Sequence, residues 1–106
     1  MSESLITDVV AATEYCVTAG GTGAPFATLH IGRPQRHEDG DWTCSHQIIG
    51  VDGFGEVRAA AGIDSLQALY LCLYMANARL ADLQRRLGVA LLDEGGADVQ
   101  QRIRIK

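Results

Sequence analysis

From Leu66 to Leu87 the chain places apolar residues at helical intervals. Leu66, Leu69, Leu73, Ala76, Leu80, Leu83 and Leu87 recur in steps of three and four, one stripe along about six turns. Asp64 stands where an N-cap belongs. Gln67, three residues on, is placed to return a capping-box bond to the Asp64 N–H, and Gly88 is placed to end the helix as a C-cap glycine. The pattern predicts one long amphipathic helix over residues 65–87. Its stripe needs a layer to pack on, and the residues before Asp64 must supply most of it.

Those residues read as short strands separated by turns. The stretch 8–18 is rich in β-branched and aromatic residues, with Val9, Ala11, Tyr15 and Val17 on one side of a period of two. It also fits helical spacing through Leu5, Ile6, Val9, Val10, Thr13, Cys16 and Val17; the strand is preferred because a hairpin follows. Gly20-Gly21-Thr22-Gly23 is a turn, and 25–33 alternates with Ala27, Leu29 and Ile31 on one face. After the polar loop 34–40, residues 41–49 put Trp42, Cys44, His46 and Ile48 on the better core face. Gly50-Val51-Asp52-Gly53 turns into a fourth strand, 54–60, read with Val57 and Ala59 inward and Glu56 and Arg58 outward. The expected architecture is α+β: a single domain, 1–106, with a four-stranded antiparallel meander packed on one long helix. Residues 88–106 are expected to form either a final edge strand or a frayed tail.

Composition narrows the class of function. A net charge of −4 argues against nucleic acid, which needs a clustered excess of Lys and Arg. Arg85, Arg86, Arg102, Arg104 and Lys106, with Arg33 and Arg36, could still gather into a basic patch, although the two in the last helical turn already complement the helix dipole. Met1-Ser2-Glu3-Ser4 carries an acid where a signal peptide carries basic residues, and no apolar run nears the roughly 20 residues that span a bilayer, so the expected location is cytoplasmic, with no membrane partner. Cys16, Cys44 and Cys72 are odd in number and lie in apolar stretches, which suits small buried hydrophobes in a reducing compartment.

No residue constellation here is a catalytic, cofactor or metal signature, and none is assigned. His30, Cys44 and His46 suggest a metal set, but alternation sends His30 to the opposite face from Cys44 and His46. Cys44 and His46 on one strand face stand too far apart to act as a nucleophile pair without a third group. Ser65 is explained by the helix start. The glycine run at 20–23 precedes a strand rather than a helix, so it is a hairpin loop and no phosphate cradle. The outer sheet face remains, where Thr28, His30, Thr43, Ser45, Gln47, Glu56 and Arg58 are expected to project together; a solvated face is the plainer explanation.

The segments Leu29-His30-Ile31-Gly32-Arg33-Pro34, Gly40-Asp41-Trp42-Thr43-Cys44, Ile49-Gly50 and Gly62-Ile63-Asp64-Ser65-Leu66-Gln67-Ala68-Leu69 resemble a family of small bacterial proteins of uncharacterised function, over roughly residues 25 to 80. The resemblance implies a meander with a single helix, in some members of the size and style of immunity proteins that pair with toxins, and leaves function open. Three functions follow as expectations. The leading one is a non-enzymatic interaction module that forms a homodimer or binds another protein through a sheet edge or the broad helix face. That breadth comes from Tyr70, Cys72, Tyr74 and Met75, which sheet and C-terminal segment would otherwise cover. The alternatives are an immunity-type inhibitor and a small ligand-binding protein or enzyme using the outer sheet face near His30, His37, Asp39 and His46.

Overall fold

The computed structural model describes Ile6 and residues 8–16, 26–51, 53–88 and 90–92. It is an antiparallel sheet with one helix on one side. The strands are β1 (Val9–Tyr15), β2 (Ala27–Gly32), β3 (Gln35–Arg36), β4 (Trp42–Ile49) and β5 (Arg58–Gly62), followed by α1 (Ser65–Leu87). The α+β meander on a single helix is therefore what the chain forms, with one strand more than expected.

The extra strand falls in the polar loop read at 34–40. β2 and β5 both pair with His46 of β4, and β3 and β5 both pair with Trp42 and Thr43. A strand has only two edges, so β2 and β3 must share one and β5 must take the other. β2 and β3 thus form one strand interrupted at Arg33-Pro34, where the register against β4 slips by one residue. Pro34 has no N–H for the ladder, while the Arg33 N–H bonds outside it to the Asp8 carbonyl at 2.9 Å.

Helix bounds match expectation because the signals are local. Asp64 Oδ1 accepts from the Gln67 N–H at 2.7 Å, and Gly88, at φ 68°, donates to the Gln84 carbonyl. The return bond differs by one residue: Gln67 Oε1 accepts from the Ile63 N–H at 2.8 Å rather than from that of Asp64. The end of the helix that meets β5 lies very close to it. A Cβ on Gly62 would stand 2.6 Å from the Ala68 nitrogen and 3.0 Å from the Gln67 carbonyl carbon, both backbone atoms.

The buried line of the helix is Ala68, Cys72, Ala76, Leu80 and Leu83, with Leu69, Leu73 and Met75 at its margins. This corrects the stripe read from the sequence: Leu66 and Leu87 are exposed. The physical reason is the close approach at Gly62, which small side chains permit and a line of leucines would not. Leu80 and Leu83 fill the second half, against a core that includes Leu29, Ile31, Cys44 and Ile48. Full burial of side chains this size contributes about 1.5–3 kcal/mol each and drives the layers together.

The helix packs on β4 and β5. Tyr15 and Leu91 are buried in the same core, and Leu92 bridges to Cys16 through two backbone bonds of 2.8 Å. The chain after the helix thus returns to the end of β1. The Gly20–Gly23 turn, residues 17–18 of the first predicted strand and the 93–106 tail lie outside the described residues.

The fourth predicted strand, 54–60, is corrected in both position and facing. It begins at Arg58. Arg58 stands opposite His46 and Ala60 opposite Cys44, so Arg58 and Ala60 are on the helix side and Ala59 and Ala61 on the outer side, the reverse of the expected alternation. Residues 53–57 wrap the end of β4 instead of extending, and Val57 is left exposed.

Candidate functional sites

Thr28, His30, Thr43, Ser45 and Gln47 do share the outer face, because His30 pairs with Gln47 and Thr28 with Ile49 in the β2–β4 register. Arg58 is on the opposite side, and Glu56, in the bend before β5, is tied to it by an ion pair. The outer face is also partly covered. Gln47 is fully buried: its Oε1 accepts from the Ile6 N–H at 3.2 Å and its Nε2 donates to the Gly55 carbonyl at 2.7 Å. Ile6 lies over Gly32, with its Cγ2 3.1 Å from where a Cβ there would stand.

The histidines read together in the sequence are dispersed. His30 is on the outer face and half-buried. His37 sits in the β3–β4 turn, its Nε2 2.7 Å from Thr43 Oγ1, and Asp39 spends its Oδ1 on the Asp41 N–H. These contacts shape a turn. His46 faces the helix with Cys44, opposite in direction to His30, and is completely buried.

Around His46 the helix assembles a polar chain. Arg79 Nη1 lies 3.3 Å from His46 Nε2, and Cys72 Sγ lies 4.0 Å from His46 Nδ1. Because a guanidinium can only donate, Nε2 must accept, and in the neutral ring the proton is then on Nδ1, directed at Cys72. The Cys44 thiol donates to the Gly32 carbonyl at 3.4 Å, and the Cys44 and Cys72 thiols influence each other's pKa. Arg79 thus donates to His46 and His46 to Cys72, while Cys44 beside them donates to the backbone. Burial, with Arg79 and Arg58 adding to it, lowers the His46 pKa to about 4, so the ring is neutral at physiological pH. Burial above all, and the Cys44 thiol next, pushes the Cys72 thiol far up. A thiol held protonated this firmly is a poor nucleophile, and the cluster is built for cohesion.

Beside it opens a cleft of about 360 Å³, between residues 53–58 and the second half of the helix. Its walls include Phe54, Arg58, Met75, Arg79, Asp82 and Arg86. Arg79 and Arg86 lie over the Phe54 ring at 5.6 and 5.7 Å, and Arg79 Nη2 also donates to the Phe54 carbonyl at 3.1 Å. Sequence reasoning missed this place, since Arg79 is only the first charged residue within the helix and Phe54 reads as a strand residue. Of the expected basic patch, Arg85 and Arg86 share Asp82 and Arg33 is paired with Asp8, while Arg102, Arg104 and Lys106 lie outside the described residues.

No group of three or more potential metal ligands occurs among the described residues, and no helix among them is long and apolar enough to cross a membrane. No curated protein and no solved structure is similar enough to this chain to match it. A family profile matches residues 21–99, from before β2 to beyond the helix, and by that match the chain belongs to the family called domain of unknown function DUF6968.

Proposed function

We propose that this protein is a non-enzymatic interaction module that pairs with a second copy of itself through the outward side of its helix. One observation carries this reading. Ile63 and Leu66 are 76% and 74% exposed, and Tyr70 and Tyr74 continue the line at four-residue spacing at 43% and 59%. Three large side chains aligned on one helix, with Ile63 just ahead of its N-cap, make a run that is unusual for a surface that meets only water. Tyrosine is also a side chain that anchors protein interfaces well.

The partner follows from charge. From Ser65 to Ala78 the helix has no ionisable acid or base other than its tyrosines and Cys72, so the line lacks the charges with which a helix face selects a differently charged partner. Two copies of a chain with net charge −4 repel through their other surfaces, and an uncharged, self-complementary face is where they can meet at least cost.

Light scattering and sedimentation on the purified protein test the reading. The expected result is a dimer that Leu66→Glu or Tyr74→Glu converts to a folded monomer. A wild-type monomer at high micromolar concentration would refute it, as would a dimer that neither substitution weakens.

A further inference from the structure

We infer that the cleft bounded by Phe54, Arg58, Met75, Arg79, Asp82 and Arg86 binds a small organic carboxylate with an aromatic or aliphatic body. The volume, about 360 Å³, is at the small end of the range for ligand pockets, which sets the size of the guest. Chemistry sets its kind. Phe54 and Met75 offer apolar contact, while three guanidinium groups converge on the same space.

Charge calls for an anion, and the apolar lining favours a carboxylate over a phosphate. Arg58, Arg79 and Arg86 are opposed by Glu56, paired with Arg58, and by Asp82, paired with Arg86. Asp82 is shared with Arg85, so four cations stand against two carboxylates, an excess of positive charge in a chain that is acidic overall. Beside Phe54 and Met75 a carboxylate monoanion costs less to desolvate than a phosphate dianion. The planar fork of arginine is matched to a carboxylate, which accepts two parallel N–H bonds.

The three cations that line the cleft differ in how many contacts hold them, and the difference suits them to separate roles. Arg79 is half-buried and held from three sides, by His46 Nε2, by the Phe54 carbonyl and by the Phe54 ring, so its charge is fixed in place before a ligand arrives. Arg58 and Arg86 are largely exposed, and their ion pairs with Glu56 and Asp82 are of the kind that contributes little in water. An incoming carboxylate can take over either partner's place at small cost. Met75, Asp82 and Arg86 also lie on a different side of the helix from Leu66 and Tyr74, by the 3.6-residue period. The inference therefore does not depend on self-association.

Phenylacetate is a suitable probe, with phenylacetamide as its uncharged isostere and phenyl phosphate as its dianionic counterpart. Titration of the full chain is followed through the NMR shifts of backbone amides. Expected are saturable shifts confined to residues 53–58 and 75–86, with a dissociation constant on the order of millimolar for so small a ligand. Phenylacetamide should bind about tenfold more weakly, the equivalent of one lost charge-assisted hydrogen bond. Arg86→Gln and Arg58→Gln, both at exposed positions, should each weaken phenylacetate while leaving the spectrum folded. Shifts that do not saturate, shifts centred elsewhere, or equal affinity for amide and acid would overturn the proposal. Tighter binding of phenyl phosphate than of phenylacetate would overturn the assignment to a carboxylate.

Discussion

Arg79 Nη1 lies 3.3 Å from His46 Nε2 across the interface between helix and sheet, a charged donor facing a ring that must stay neutral to receive it. The contact joins residues that are 33 positions apart and belong to different layers. It also couples the only described buried histidine to the floor of the arginine cleft, because the same guanidinium bonds the Phe54 carbonyl. Proton uptake at His46 would replace one acceptor with a second cation.

Stability should therefore depend on pH with a definite sign. The ordinary histidine pKa is 6.5 and that of folded His46 is about 4, so between those values the unfolded chain binds more protons than the folded one. The contribution is fully present above about pH 6.5 and is lost as pH falls toward 4. The whole shift corresponds to about 3 kcal/mol. Urea unfolding between pH 7 and pH 4 checks this, with His46→Gln as a control whose slope over that range should be shallower.

Replacing Arg79 with methionine should cost about 1–3 kcal/mol, because it strips a partner from buried His46 Nε2 and from the Phe54 carbonyl. It should also raise the His46 pKa, since Arg79 is second only to burial in depressing it. Histidine ring NMR would read the second effect, which lost packing alone would not produce.

Gly62→Ala should be among the most damaging small substitutions in the chain. The added methyl would stand 2.6 Å from the Ala68 nitrogen, and backbone cannot swing aside as a side chain can. Overpacking of this kind costs about 1–3 kcal/mol, to be measured by chemical denaturation. Gly53→Ala meets nothing within 4 Å, so its cost should be limited to the strain of its φ of 85°.

Asp64→Ala should lower stability by about 1 kcal/mol by leaving the Gln67 N–H without its cap. Gln67→Ala removes the complementary bond to the Ile63 N–H, and because both bonds are exposed the effect should be smaller. A double-mutant cycle by thermal unfolding would show whether the two act as one unit.

Gln47→Leu tests the cover of the outer face. The amide is buried between the Ile6 N–H and the Gly55 carbonyl, and a leucine of similar size can pair with neither. A loss of about 1–3 kcal/mol is expected, with amide exchange accelerated at Ile6. Unchanged exchange at Ile6 would mean that this bond does not hold the segment.

The helix and most of the meander could be read from the sequence because their signals act over a few residues. Asp64, Gln67 and Gly88 meet partners no more than four positions away, and glycine turns and two-residue alternation mark β2 and β4 where they are found. β5 was misread because its alternation gives a false answer. Arg58 belongs to the helix side since the sheet there opens into the cleft, and residues 53–57 leave the strand so that Phe54 can meet Arg79 and Gly55 can meet Gln47.

The amino-acid sequence by itself determined that this chain builds a strand-rich layer and one capped helix with an apolar side, because caps, turns and periodicity are settled by neighbouring residues. Which part of that apolar side is buried was decided only in the tertiary structure. Gly62 brings the helix down along Ala68, Cys72 and Ala76, which turns Leu66 and Tyr74 outward. The same docking sets Cys72 and Arg79 on His46. Such contacts depend on how two layers are rotated against each other, and that angle is fixed by packing across the whole interface, where no local signal records it.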